Sequence, residues 1–232
     1  MSLANRLLRR LLPGLLLALP LLAFAADAKD FSAAERLLFM SPHLHNVKPP
    51  TTLQYSFRKS GSLEAGFEDS VSLVLSRKAG GGCCAAHTEF FGAARGLPLP
   101  DVPEADGNPV LLAFLEREVR EMQRLTKGSQ NHFRKRMRMA IYEGATLRPL
   151  TLNFRGKPVA VQEVLIKPFL NDANRPRYEN LAVKEYRFLM SDAVPGGLYG
   201  IRTRVAGAEG AAPLQVEEMY LAGAEPVAAK NE

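Results

Sequence analysis

The sequence predicts a mainly β fold of the α+β class: a curved antiparallel sheet of about eight to nine strands wrapped on one long amphipathic helix. Three observations carry this. From Thr51 onward apolar residues alternate with polar ones over most of the chain, the period of a strand with one buried face. Gly- and Pro-rich turns separate these runs. The strands follow one another with turns only, whereas parallel pairing needs a crossover helix for each step.

The elements come in order. Ser32 and Glu35 fit a capping box, and Phe31, Leu37, Leu38 and Phe39 give the short helix they open an apolar face. Pro42, Pro49 and Pro50 then break it. In "TTLQYSFRK" Leu53, Tyr55 and Phe57 share a face; in "FEDSVSLVLSRK" Phe67, Val71, Leu73 and Leu75 do so. "CCAAHTEFF" offers a third strand after the turn Gly80–Gly82, and a long loop rich in Pro, Gly and Ala follows. The long helix runs from the cap Asn108 and from Pro109 through Leu111, Leu112, Leu115, Val119, Met122 and Leu125 to a stop at Gly128. Its charged residues, Glu116 to Glu118 among them, are expected on the solvent side.

Six further strand-like segments complete the sheet. "HFRKRMRMAIY" alternates, with Phe133, Met137, Met139 and Ile141 on one face and Arg134, Arg136 and Arg138 on the other. "LRPLTLNFR" and "PVAVQEVLIKPF" flank Gly156-Lys157 as a hairpin, and "VKEYRFLMS", "GGLYGIRTRVAG" and "APLQVEEMYLAG" close the sheet.

The first 25 residues read as a secretory signal peptide: Arg6, Arg9 and Arg10, an apolar run from Leu11 to Leu22, then Ala23-Phe24-Ala25. Pro13, Gly14 and Pro20 interrupt a run already short for a membrane span. The expected organisation is a signal peptide (1–25), a single β-rich domain (26–223) and a flexible C-terminal tail (224–232), exported to the bacterial periplasm and not membrane-spanning once the signal is removed. The charge of +6 falls to +3 without the three arginines of residues 1–25, which argues against nucleic acid as a partner.

Exported signal, helix, antiparallel strands, mid-chain helix and more strands together resemble the periplasmic lipoprotein-carrier (LolA/LolB-like) half-barrel. The resemblance is one of element order, covers most of Ser32 to Gly223 and rests on the Asn108–Thr126 helix and on "KEYRFLMSDAVPGGLYGIRTRV". It implies a concave apolar interior able to hold an acyl chain or a partner's hydrophobic segment. Leu73, Leu115, Val119, Met139, Tyr186 and Phe188 would face that interior, and would be ordinary core if the sheet is filled.

Other features keep more than one reading. Arg134, Arg136 and Arg138, with Lys135 opposite, form a basic stripe suited to anionic headgroups or an acidic partner, or simply a solvated strand face. Cys83 and Cys84 are the only cysteines. They are small residues after a glycine turn, a vicinal or intermolecular disulfide, or, with His87, soft metal ligands that lack a fourth. His43, His45, Met137 and Met139 could join a copper site. No cofactor motif and no G-x-S-x-G elbow is present, so the chain reads as a non-enzyme. It would bind a hydrophobic ligand, or another envelope protein through a sheet edge, or act in metal or redox chemistry through Cys83 and Cys84.

Overall fold

The computed structural model describes residues 31–227; the expected signal peptide lies outside the described residues. Eight strands form one sheet: β1 (Thr51–Gly61), β2 (Phe67–Arg77), β3 (Cys83–Phe90), β4 (Thr146–Phe154), β5 (Lys157–Ile166), β6 (Glu185–Met190), β7 (Leu198–Val205) and β8 (Gln215–Leu221). Their order is β3-β2-β1-β8-β7-β6-β5-β4, antiparallel at every step. A three-stranded meander is therefore joined through β1 and β8 to a five-stranded one. The curved, open antiparallel sheet of the α+β class is the one the alternation predicts.

Alternation places the core. Leu53, Tyr55 and Phe57 of β1 and Val71, Leu73 and Leu75 of β2 point to one buried face, with Gln54, Ser56 and Arg58 on the other. The β4–β5 hairpin turns on Arg155 and Gly156, both at positive φ (51° and 74°), the geometry that a two-residue hairpin loop needs.

Three α-helices accompany the sheet among the described residues. α1 (Ala33–Glu35) opens on the expected capping box, Ser32 Oγ accepting from Glu35 N at 3.1 Å, and runs on as a wider turn over Arg36–Met40. α2 (Pro109–Thr126) starts at Asn108, whose Oδ1 accepts from Val110 N at 3.0 Å. The same side chain donates to Tyr55 Oη (3.0 Å) and Gly196 O (2.8 Å), tying the helix start to β1 and to the β6–β7 turn. The left-handed residue that ends α2 is Lys127 (φ 57°). Gly128 serves close approach instead: a Cβ there would lie 2.5 Å from the Phe133 ring.

The segment "HFRKRMRMAIY" corrects the expectation. It is a second helix, α3 (Gln130–Glu143), antiparallel partner to α2 across a three-residue link, and not a strand. Phe133, Met137 and Ile141, at i, i+4 and i+8, are its buried residues. Helix geometry splits the basic stripe, because residues two apart on a helix point in nearly opposite directions.

The two sheet edges differ. β3 is bridged by a loop at Ala86–Val102 and Phe90–Leu97, whereas β4 has one such bridge among the described residues, at its end (Phe154–Ala224). At the start of the expected tail, Tyr199 Oη donates to Glu225 O at 2.7 Å, and Val227 N donates to Tyr220 Oη at 3.2 Å. Residues 228–232 lie outside the described residues. No described helix is long and apolar enough to cross a membrane.

Candidate ligand-binding groove

The helices enclose an apolar groove on their own side of the molecule. Phe39 from the turn after α1, Leu112, Leu115 and Val119 from α2, and Met137 and Ile141 from α3 line about 420 Å³, with Glu35, Glu116, Arg134 and Arg138 also at its walls. The Ser32 hydroxyl donates to Ile141 O at 3.3 Å and fixes the helix start against the end of α3. Leu112 is 62 % exposed and Phe39 38 %. Large apolar side chains left in water beside a concavity mark a binding surface more than a folding need does.

The rim is charged and ordered. Arg134 donates to both oxygens of Glu116, at 2.9 and 2.7 Å, and Arg120 adds a contact at 3.3 Å. The Arg134 hydrogen bond is the main reason that the Glu116 carboxyl is held below the usual carboxylate range. Arg138 is exposed and belongs to no ion pair among the described residues.

The interior is filled, and part of the filling is charge. Arg117 and Glu118, expected in solvent, are buried between α2 and the sheet with Lys184 and Glu217. Arg117 Nη1 reaches Glu118 Oε1 at 2.5 Å and Arg117 Nη2 reaches Glu217 Oε1 at 2.8 Å. Lys184 Nζ reaches Glu118 Oε2 at 2.6 Å and Glu217 Oε2 at 3.1 Å. Thr203 donates to Glu217 at 3.0 Å. Two cations and two carboxylates close a neutral ring, the condition under which buried charge is tolerable. Burial pushes both carboxyls up. For Glu217 the attraction of Lys184 and Arg117 overcomes that and holds it well below the usual range. For Glu118 burial and repulsion by Glu217 prevail, and its carboxyl is raised.

The residues expected to face a cavity therefore part company. Leu73, Tyr186 and Phe188 are 0 % exposed, packed in the filled core. Leu115 and Val119 line the helical groove. Met139 lies in another depression of about 460 Å³ beside Arg136, Leu165 and Lys167. Arg134 and Arg138 reach the apolar groove, while Arg136 turns away to pair with Asp172 at 3.1 Å.

Cys83 and Cys84 are bonded to each other at the start of β3. Cys84 is buried, and His87 lies exposed, paired with Asp101 at 2.6 Å. His43 is buried, with Nε2 2.8 Å from Leu37 O and Nδ1 accepting from Asn108 N at 3.1 Å, and His45 contacts Pro42 O. No three His, Cys, Asp or Glu side chains among the described residues are grouped to hold a metal.

No family model matches the chain, and no curated protein matches it. A solved structure to which it is similar is the lipoprotein LppX of Mycobacterium tuberculosis, at 8 % identity and a TM-score of 0.34, over 85 % of this chain and 99 % of that one.

Proposed function

We propose that the chain is an exported, non-catalytic protein of the bacterial envelope that binds a single-chain amphiphile, an acyl tail with an anionic head, in the groove between α1, α2 and α3. The observation that carries this is the exposure of Leu112 and Phe39 over an apolar trough whose rim holds Arg138 without a carboxylate partner among the described residues. A trough of this volume falls within the about 300–1,000 Å³ of small-molecule sites. The tail would cover Leu112, Leu115 and Val119, and the head would meet Arg138, beside an Arg134 already matched by Glu116.

Titration calorimetry with laurate tests it. Saturable one-to-one binding is expected. Leu112→Asp should weaken it about tenfold or more, since burying one such side chain contributes about 1.5–3 kcal/mol. Unchanged binding in Leu112→Asp would refute the assignment.

A second reading, docking of an envelope protein on the sheet edge, is favoured by β4, whose Leu147 is 36 % exposed and whose edge lacks the loop that covers β3. Leu147→Lys should release such a partner in pull-downs from periplasm and leave laurate binding intact.

A further inference from the structure

A different concavity, of about 510 Å³, opens where β1, β2 and the end of β3 meet α2. Its wall is aromatic. Phe91 packs on Phe57 at 4.6 Å between ring centroids and stands edge-on to Phe67 at 5.8 Å. Phe91 holds that place with φ at 68°, a backbone region that bulky residues rarely adopt and that recurs at ligand clamps, because the surrounding structure must stabilise it.

Guanidinium groups lie over this wall. Arg117 stands 4.9 Å from the Phe57 ring and 5.4 Å from Phe91, its charge already met from behind by Glu118 and Glu217. Arg95 stands 4.5 Å from the Phe67 ring centroid. Stacking occupies the flat face of a guanidinium and leaves its N–H donors at the edge free for an acceptor. No described residue accepts from the Arg95 guanidinium; of the N–H groups of Arg95 the backbone one alone is engaged, by Gly92 O at 3.2 Å.

Charge balance decides what kind of acceptor is missing. Lys59 and Arg124 are matched by Glu64 and Glu121, at 2.6 Å for Lys59–Glu64 and at 2.6 and 2.8 Å for Arg124. Arg120 has only a 3.3 Å contact with Glu116, whose oxygens Arg134 already holds. Arg95 and Arg120 therefore remain as excess positive charge at the mouth. We propose that this mouth is a second binding site, separate from the helical groove, for a small organic anion with an aromatic body: the ring against Phe67 and Phe91, the carboxylate or equivalent oxyanion on Arg95 and Arg120. A planar oxyanion matches the paired donors of a guanidinium.

Titration calorimetry with 2-naphthoate and with uncharged 2-naphthamide tests it on the full mature chain. Naphthoate should bind at least tenfold more tightly than the amide. Arg95→Ala should weaken naphthoate about tenfold, Arg95→Lys should recover part of the loss, and Leu112→Asp should leave it unchanged. Arg95 and Leu112 are both exposed, so circular dichroism should show each variant folded. Equal affinity in wild type and Arg95→Ala would overturn the proposal. So would loss of binding in Leu112→Asp, which would put the ligand in the helical groove. Arg95-dependent retention on phosphatidylglycerol vesicles without naphthoate binding would equally overturn it, since the arginines would then serve a membrane surface.

Discussion

On α2 the side chains at positions 117 and 118 and those at 112 and 115 have exchanged the environments their chemistry would assign. Arg117 and Glu118 are sealed inside, 7 % and 0 % exposed, while Leu112 stands in water and Leu115 is only half-buried. The inward charges are affordable because Lys184 and Glu217 complete the ring. Each carboxylate meets two cations, and each cation two carboxylates. Nothing comparable covers the outward leucines among the described residues. Buried charge here serves the fold, and exposed apolar surface is what remains for a ligand. Polar residues are thus a poor guide to function in this molecule, and misplaced apolar ones are a better guide.

The largest test of this contrast removes one member of the ring. Glu217→Ala leaves Arg117 and Lys184 buried with one carboxylate between them, and should cost about 3–5 kcal/mol in urea unfolding. Replacing all four by apolar residues of similar volume, as Arg117→Met, Glu118→Leu, Lys184→Met and Glu217→Leu, should restore most of that loss, because the ring returns little net energy over a packed core. A loss below about 1 kcal/mol for Glu217→Ala would show that the ring is solvated and the contrast false.

Acid should act at His43 as well. Burial lowers its pKa from the ordinary value near 6.5, and its Nδ1 must be unprotonated to accept from Asn108 N. The folded state therefore prefers the neutral ring. That preference contributes fully above about pH 6.5 and is lost as pH falls through and below it. Glu217, depressed when folded, adds a loss in the same direction only below about pH 4.5, the unfolded carboxylate range. Glu118, raised when folded, works the other way: its contribution is full below about pH 4.5 and declines as pH rises. Between pH 7.5 and 5.5 His43 should lower the unfolding free energy while His87, whose pKa the hydrogen bond to Asp101 raises, acts the other way. His43→Asn should therefore shift the slope towards greater stability at low pH whatever it does to the overall level. An unchanged slope would assign it to other groups.

The smallest effect belongs to the rim. Arg134→Ala removes an exposed pair with Glu116, and exposed pairs contribute about 0–1 kcal/mol. Its urea midpoint should stay close to wild type, where Glu217→Ala moves far.

The sheet was legible because a period of two with turn residues between the runs has one physical meaning, and Leu53, Tyr55 and Phe57 or Tyr186 and Phe188 show it plainly. Residues 130–143 were not. Arg134, Arg136 and Arg138 interleaved with Met137 and Met139 imitate a strand, while the deciding signal, Phe133, Met137 and Ile141 four apart, lies beneath it. A strand over these residues leaves the groove without one of its walls. The charge ring was hidden for another reason. Arg117 and Glu217 are 100 positions apart, and Glu118 and Lys184 66, so no local pattern shows that helix charges have partners waiting in the core. Leu115 and Val119 line the groove among the helices, not the concave side of the sheet that the strand pattern suggests for them.

The central claim is that an acyl ligand lies among the helices and not inside the sheet. Photolabelling with a diazirine-bearing fatty acid, followed by peptide mapping of the modified residues, tests this most directly. The account predicts labels on Phe39, on the α2 face of Leu112 and Leu115, and on α3 near Met137 and Ile141, all suppressed by excess laurate. Competable labels on Leu73, Tyr186 or Phe188 would contradict it, and would mean that the filled core opens to take the chain.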